Sequence, residues 1–170
     1  MELKDTIRSI PNFPEPGIIF RDITTLLKDG QALSAAITAM EETLRGVEFD
    51  YVVGPESRGF IVGVPLAVAV KKGFIPARKP GKLPCATVSK SYDLEYGSNT
   101  IEVHADAIKP GDKIVLVDDL LATGGTARAL CDLVEEMGGK VVKAIFLIEL
   151  ADLNGRQKLS GLDVSSVVVY

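Results

Sequence analysis

Two adjacent carboxylates, Asp118 and Asp119, stand just ahead of a small polar run, Thr123, Gly124, Gly125 and Thr126. The run offers backbone N–H groups and two hydroxyls where a helix is expected to begin, and the partial positive charge of a helix start favours an anion. A phosphate monoester suits that seat. The glycines permit close backbone approach or a positive φ. No Gly-Lys-Ser/Thr triplet is present, so no lysine of the loop reaches for a second or third phosphate, and one terminal phosphate is the better match. Carboxylates just before the seat can accept hydrogen bonds from vicinal sugar hydroxyls and stabilise positive charge on the ring. An apolar strand, an Asp and a Gly-rich turn also make an ordinary strand-to-helix connection; the paired acids and both threonines favour the chemical reading.

Other residues are open to two readings. Arg58 starts a helical pattern, where the dipole disfavours a cation, and its fork could instead grip phosphate oxygens bidentately. Arg78, Lys79 and Lys82 form the one dense basic cluster of the chain, and such a run is ordinarily a solvated face. Glu95 and Tyr96 read as an exposed corner bounded by Gly97, and Phe13 and Ile19 as core-facing apolar residues. His104, the single histidine, receives no catalytic role. Cys85 and Cys131 fall into no Cys-x-x-Cys or Cys/His metal spacing and read as free thiols of a reducing cytoplasm.

The elements that must position these groups follow from short β-branched runs at 51–54, 74–77, 114–118, 141–148 and 164–170, each of strand length. Helical patterns at 30–45, 58–72 and 126–137 lie between them, with a shorter one at 153–159. This alternation predicts an α/β, doubly wound domain whose mainly parallel central sheet is flanked by helices, with right-handed crossovers. Ligands of such sheets bind beyond the carboxyl ends of the strands. Two stretches break the alternation. Residues 11–28, with three prolines, read as an irregular N-terminal hood over the sheet; residues 79–105 read as an excursion of antiparallel strands ending in a flexible lid loop.

The 170 residues fit one domain, since a single core serves chains of roughly 100–200 residues. A hydrophobic fraction of 46% allows a full core without metal or disulfide staples. A net charge of −4 argues against a nucleic-acid or membrane surface as partner. The first residues, MELKDTIRSI, lack the apolar run of a signal peptide, and no apolar stretch reaches about 18 residues; both predict a cytoplasmic protein.

The run IVLVDDLLATGGTA at 114–127 resembles the phosphoribosyl pyrophosphate (PRPP) motif of type I phosphoribosyltransferases. Segments NFPEPGIIFRDIT (12–24), GPESRGF (54–60), RKPGKLP (78–84) and SYDLEYG (91–97) are similar to the adenine phosphoribosyltransferase family in particular, in order and over nearly the whole chain. Thr25 departs from the family, which commonly has proline after Asp-Ile-Thr.

The resemblance implies transfer of the phosphoribosyl group of PRPP to adenine, giving AMP and pyrophosphate, with Mg²⁺ held mainly through PRPP and water. It implies that Asp118 and Asp119 contact the ribose, that Ala122, Thr123, Gly124, Gly125 and Thr126 cradle the 5′-phosphate, and that Arg58, Arg78, Lys79 and Lys82 reach pyrophosphate, partly across a homodimer interface. Glu95 becomes the proton-handling group of a lid that also carries Tyr96. Phe13 would stack on adenine, the Ile19 and Arg21 backbones would read its edge, and Leu120 would line its other face. The 6-oxopurine enzymes typically carry a lysine after the strand that follows the phosphate loop, and residues 146–153 contain none. Another base, or a non-catalytic PRPP-sensing module, remains an alternative; the module would need a nucleic-acid element for which this acidic chain has no room.

Overall fold

Where the sequence shows prolines and no clear period, the chain still pairs with itself. A computed structural model describes residues 1–94 and 96–170, which divide into two units, Met1–Ala39 and Met40–Tyr170. In the first, Arg8–Pro11 (β1) and Ile19–Asp22 (β2) form an antiparallel hairpin in which Pro11 faces Ile19 and Ser9 faces Arg21. The expectation of an irregular 11–28 segment is thereby corrected: β2 finds its partner upstream, in a strand too short and too exposed to show alternation. A short helix, Thr24–Lys28 (α1), follows. Asp22 ties the turn between them, accepting from the Thr24 N–H at 3.0 Å and from Arg8. Thr25, which stands where proline is usual in the family it resembles, donates its hydroxyl to the Thr6 carbonyl at 2.7 Å. Asp29 Oδ1 accepts from the N–H groups of Gln31 and Ala32 and so caps Gly30–Glu42 (α2), whose last turn belongs to the second unit.

The second unit is built on five parallel strands: Tyr51–Pro55 (β3), Gly73–Ala77 (β4), Lys113–Leu121 (β7), Lys140–Glu149 (β8) and Val164–Val169 (β9), in the order β4-β3-β7-β8-β9. Strands covered on both faces read as continuous apolar runs, which is why Ile114–Val117 and Ala144–Ile148 are so nearly free of charge and so fully buried. Arg58–Ala69 (α3) connects β3 to β4, and Gly125–Glu136 (α4) connects β7 to β8. The expected strands and the three long helical patterns are all present, with displaced ends. Asp118 and Asp119 lie inside β7 rather than beyond it, because Leu120 and Leu121 continue the ladder opposite Ile148 and Glu149. The helical pattern at 153–159 is two 3-10 turns, Ala151–Leu153 and Gly155–Leu159, interrupted by Asn154 at φ +55°. Thr87–Asp93 (β5) and Ser98–His104 (β6) form the expected antiparallel excursion. Val88 and Tyr92 pack on the core of this unit, within which Ile101 and Val103 are buried.

Candidate active site

The strand order reverses between β3 and β7: α3 carries the chain from β3 outward to β4, and α4 carries it from β7 outward to β8 in the opposite direction. Crevices form at the carboxyl ends of strands at such a switch point. Pairing of β3 with β7 runs over Tyr51–Val53 only, and a cleft of about 380 Å³ opens beyond it, lined by residues 55–58 on one side and 118–127 on the other.

Asp118 and Asp119 are neighbours in one strand, yet their surroundings differ. Asp119 is buried and takes the Arg58 Nε–H on Oδ2 at 2.6 Å, an ion pair joining the two sides of the cleft. Asp118 accepts the Asp119 backbone N–H at 2.8 Å, and its carboxyl is pushed well above the usual carboxylate range, first by burial and then by the charge of Asp119. Gly59, in the first turn of α3, lies against it: a β-carbon there would stand 3.0 Å from Asp118 Oδ1 and 2.9 Å from Pro55 Cδ. The small residue after Arg58 makes room for the acid.

The loop 122–126 is shaped by contacts from outside itself. Gly124 has φ +86° and precedes α4, accepting the Arg128 N–H at 2.9 Å. It also faces Gly155, so that a β-carbon on Gly124 would come 2.6 Å from the Gly155 carbonyl, and one on Gly155 would come 2.4 Å from the Ala122 carbonyl. Two glycines back to back let two backbones touch. Ahead of α4, residues 123–126 present the predicted anion seat at the amino end of a full helix. The Tyr92 hydroxyl, from β5, lies 2.9 Å from Thr126 Oγ1 and ties the hairpin to this seat.

The remaining predicted residues are placed less uniformly. Leu120 lines the cleft with Asp118, Asp119, Arg58 and 122–126. Arg78, Lys79 and Lys82 do not line it; Arg78 and Lys79 are joined to its edge through Glu56, whose Oε1 accepts the Lys79 N–H at 2.8 Å and faces Arg78 Nε at 3.3 Å. The Lys79 amide, then Arg78, holds the Glu56 carboxyl below the usual range against the opposing effect of burial. Glu102 secures the same basic loop from β6, accepting from the Gly81 N–H at 3.0 Å and from the Thr87 hydroxyl at 2.7 Å. Lys82 is exposed, and Tyr96 is 88% exposed. Glu95 lies outside the described residues. Phe13, Ile19 and Arg21 belong to the first unit, where the Phe13 ring, half exposed, meets Phe20 edge-on at 5.3 Å between centroids.

Sequence reasoning gave no role to Glu56, Gly59, Tyr92 or Gly155. Glu56 and Gly59 flank Arg58 in a segment already singled out, and a small residue beside a helix-starting arginine was the available signal. Nothing local marks Gly155, since Asn-Gly is an ordinary turn pair.

The chain and its fold have known counterparts. The phosphoribosyl transferase domain family matches residues 23–167. The adenine phosphoribosyltransferase of Agathobacter rectalis is 60% identical over 168 residues, covering 99% of this chain and 97% of its own. That of Lachnoclostridium phytofermentans is 57% identical over 169 residues, with the same two coverages. A solved adenine phosphoribosyltransferase from Thermoanaerobacter pseudethanolicus superposes with a TM-score of 0.96 at 50% identity, covering 99% of this chain and 98% of that one. The Saccharomyces cerevisiae enzyme, solved with an imino-altritol bisphosphate and adenine, gives a TM-score of 0.92 at 40% identity over 98% of this chain and 96% of its own. The chain belongs to the phosphoribosyltransferase family. Within it, it falls among the adenine phosphoribosyltransferases.

Proposed function

We propose that this protein transfers the 5-phosphoribosyl group of PRPP to N9 of adenine, releasing pyrophosphate and forming AMP. The observation that carries the reading is the pair of acids in β7 lining one cleft with the 122–126 loop at the start of α4, with Arg58 across it. In the reaction the bond from C1 of the ribose to pyrophosphate breaks and the bond to N9 forms. Positive charge gathers on the sugar ring between these events, and Asp118 and Asp119 face it; fixed charge opposite developing charge is among the larger contributions an enzyme can make. The 122–126 loop holds the 5′-phosphate, and so fixes C1 relative to the acids. Arg58 exchanges its carboxylate partner for pyrophosphate oxygens. Arg78, Lys79 and Lys82 add charge on the same side, and Tyr96 sits in the segment that covers the site. Glu95 takes the N9 proton.

Hard oxygen donors such as the two carboxylates suit Mg²⁺, which would be held chiefly by pyrophosphate oxygens and water near Asp118 and Asp119. When bound it neutralises charge on the leaving group.

Recognition of the base is assigned to residues 12–24, supported by their hairpin. Phe13 is exposed enough to stack on a purine. Pro11 has no N–H to give Ile19, which suits a non-hydrogen-bonded pair and turns the peptide groups of Ile19 and Arg21 to the outer edge of β2. Leu120 supplies an apolar contact for the base. A donor and acceptor pair of this kind separates a 6-amino from a 6-oxo purine, because the wrong base leaves polar groups unpaired.

The protein works in the cytoplasm as a homodimer in this reading. Among the described residues no helix is long and apolar enough to cross a membrane. Ile61, Val64 and Val68 are exposed along one face of α3, a surface for a second copy, and the mass of the chain in solution checks it. The test of the activity is formation of AMP and pyrophosphate from adenine, PRPP and Mg²⁺, run beside hypoxanthine and guanine. Adenine should be strongly preferred; no AMP, or equal rates with all three bases, would overturn the proposal.

A further inference from the structure

The phosphate seat has a second wall that its own motif does not contain. The 3-10 turn Gly155–Leu159 follows β8 and brings Gly155 backbone to backbone with residues 122–124. Buried Leu159 anchors one end of the turn, and Arg156 fixes the middle. The Arg156 guanidinium grips buried Glu149 at the end of β8 with two contacts, Nε to Oε1 at 2.7 Å and Nη2 to Oε2 at 2.9 Å, and donates from Nη1 to the Val164 carbonyl at 2.9 Å. Such a bidentate pair sets orientation as well as distance. Lys158 stands on this braced turn, and its ammonium nitrogen lies 4.0 Å from where a β-carbon on Gly125 would be, at the opening of α4. No carboxylate is paired with Lys158 among the described residues, while Lys90, Lys113 and Lys143 each have one.

Resting on the proposed function, we infer that Lys158 is a further binding residue of the 5′-phosphate subsite, a full positive charge added from a separate element to a seat otherwise made of backbone N–H groups and hydroxyls. The loop motif lacks a lysine; the turn after β8 supplies one. Its side chain is exposed, so its contribution is screened by salt and belongs with surface ion pairs rather than buried ones. Gly155 and Arg156 are positioning residues for it, and they also keep the turn at the height of the loop.

The test compares wild type, Lys158→Gln and Lys158→Arg in two measurements: calorimetric titration with ribose 5-phosphate at low and at physiological salt, and steady-state kinetics with PRPP and adenine. Lys158→Gln should weaken ribose 5-phosphate binding and raise KM for PRPP by about three- to fivefold, the range of an exposed ion pair. It should leave kcat and KM for adenine near wild type and flatten the salt dependence. Lys158→Arg should restore most of the affinity. Equal ribose 5-phosphate affinity in wild type and Lys158→Gln at low salt overturns the inference, even if the enzyme makes AMP normally. Wild type that binds ribose 5-phosphate but makes no AMP would instead remove the proposed function while leaving the binding comparison to decide on Lys158.

Discussion

The two sides of the cleft are held by different forces. On the side of β7, the loop 122–126 is fixed chiefly by backbone packed on backbone, Gly124 against Gly155 and Gly155 against Ala122, with the Tyr92 hydroxyl joined to Thr126 beside it. On the side of β3, residues 55–58 are held by charges: Arg58 on Asp119, and Glu56 on the Lys79 amide and Arg78. Packed backbone has a single arrangement and resists adjustment. The cations of these pairs are partly exposed, and an exposed cation can take a ligand that carries the charge of its carboxylate partner. In the proposed reaction the side that receives the group retained throughout, the ribose phosphate, is the rigid one. The side proposed to receive the leaving pyrophosphate is assembled from ion pairs whose cations the pyrophosphate would take over.

The contrast breaks most visibly at Gly155. A methyl group there would lie 2.4 Å from the Ala122 carbonyl and 2.8 Å from Leu121 Cδ1, so backbone has to move. Gly155→Ala should lower kcat/KM for PRPP by about a hundredfold or more, in keeping with the effect of an ångström-scale misplacement, and destabilise the fold by about 1–3 kcal/mol of overpacking. Denaturant unfolding and PRPP kinetics measure the two. A variant with wild-type KM and stability would show that the loop is not held by this contact.

Asp118 ranks next, because its environment opposes the charge its proposed role calls for. Its carboxyl has a raised pKa in the folded chain, so the associated stability is fully present below the ordinary carboxylate range and is lost as pH rises through the folded value. Asp118→Asn keeps an oxygen to accept the Asp119 N–H and removes the buried charge. Turnover should fall by about 10²–10³, the scale of losing one fixed electrostatic partner of the transition state. The melting temperature should rise above wild type, with the gap widening from acidic to neutral pH. A lower Tm for the variant at every pH would count against the burial of charge as the cause.

What the sequence reveals follows the range of the contacts involved. The five strands are legible because apolar runs between glycines and charges are local signals, and the candidate phosphate loop because its own motif lies within 118–126. The hairpin is missed because β2 pairs with Arg8–Pro11, whose exposed residues show no alternation. Gly155 is missed for a related reason: its partner is the carbonyl of Ala122, far away in the chain, and only folding brings the two together. Arg58 is legible as a candidate anion-binding residue by its type and position. That it is paired with Asp119 is a property of the cleft, in which α3 starts where β7 carries its acids.

Glu56 gives the smallest effect and the sharpest test of the ionic side. Its folded pKa lies below the ordinary carboxylate value, so its hold on the basic loop is complete above that value and is lost as pH falls through the folded one. Glu56→Gln retains an oxygen for the Lys79 N–H and gives up the charge facing Arg78. If the edge is held by exchangeable charge, PRPP affinity should fall by only about two- to fivefold, since the basic residues remain and pyrophosphate itself can order them. Stability near neutral pH should change little, while the loss of stability on acidification should be shallower in the variant. Amide hydrogen exchange at residues 78–82 reads the loop directly: it should speed up in Glu56→Gln without ligand and return to the wild-type rate with PRPP bound. Exchange that stays fast with PRPP bound would mean Glu56 is a fixed part of the site, and the two sides of the cleft would no longer differ in kind.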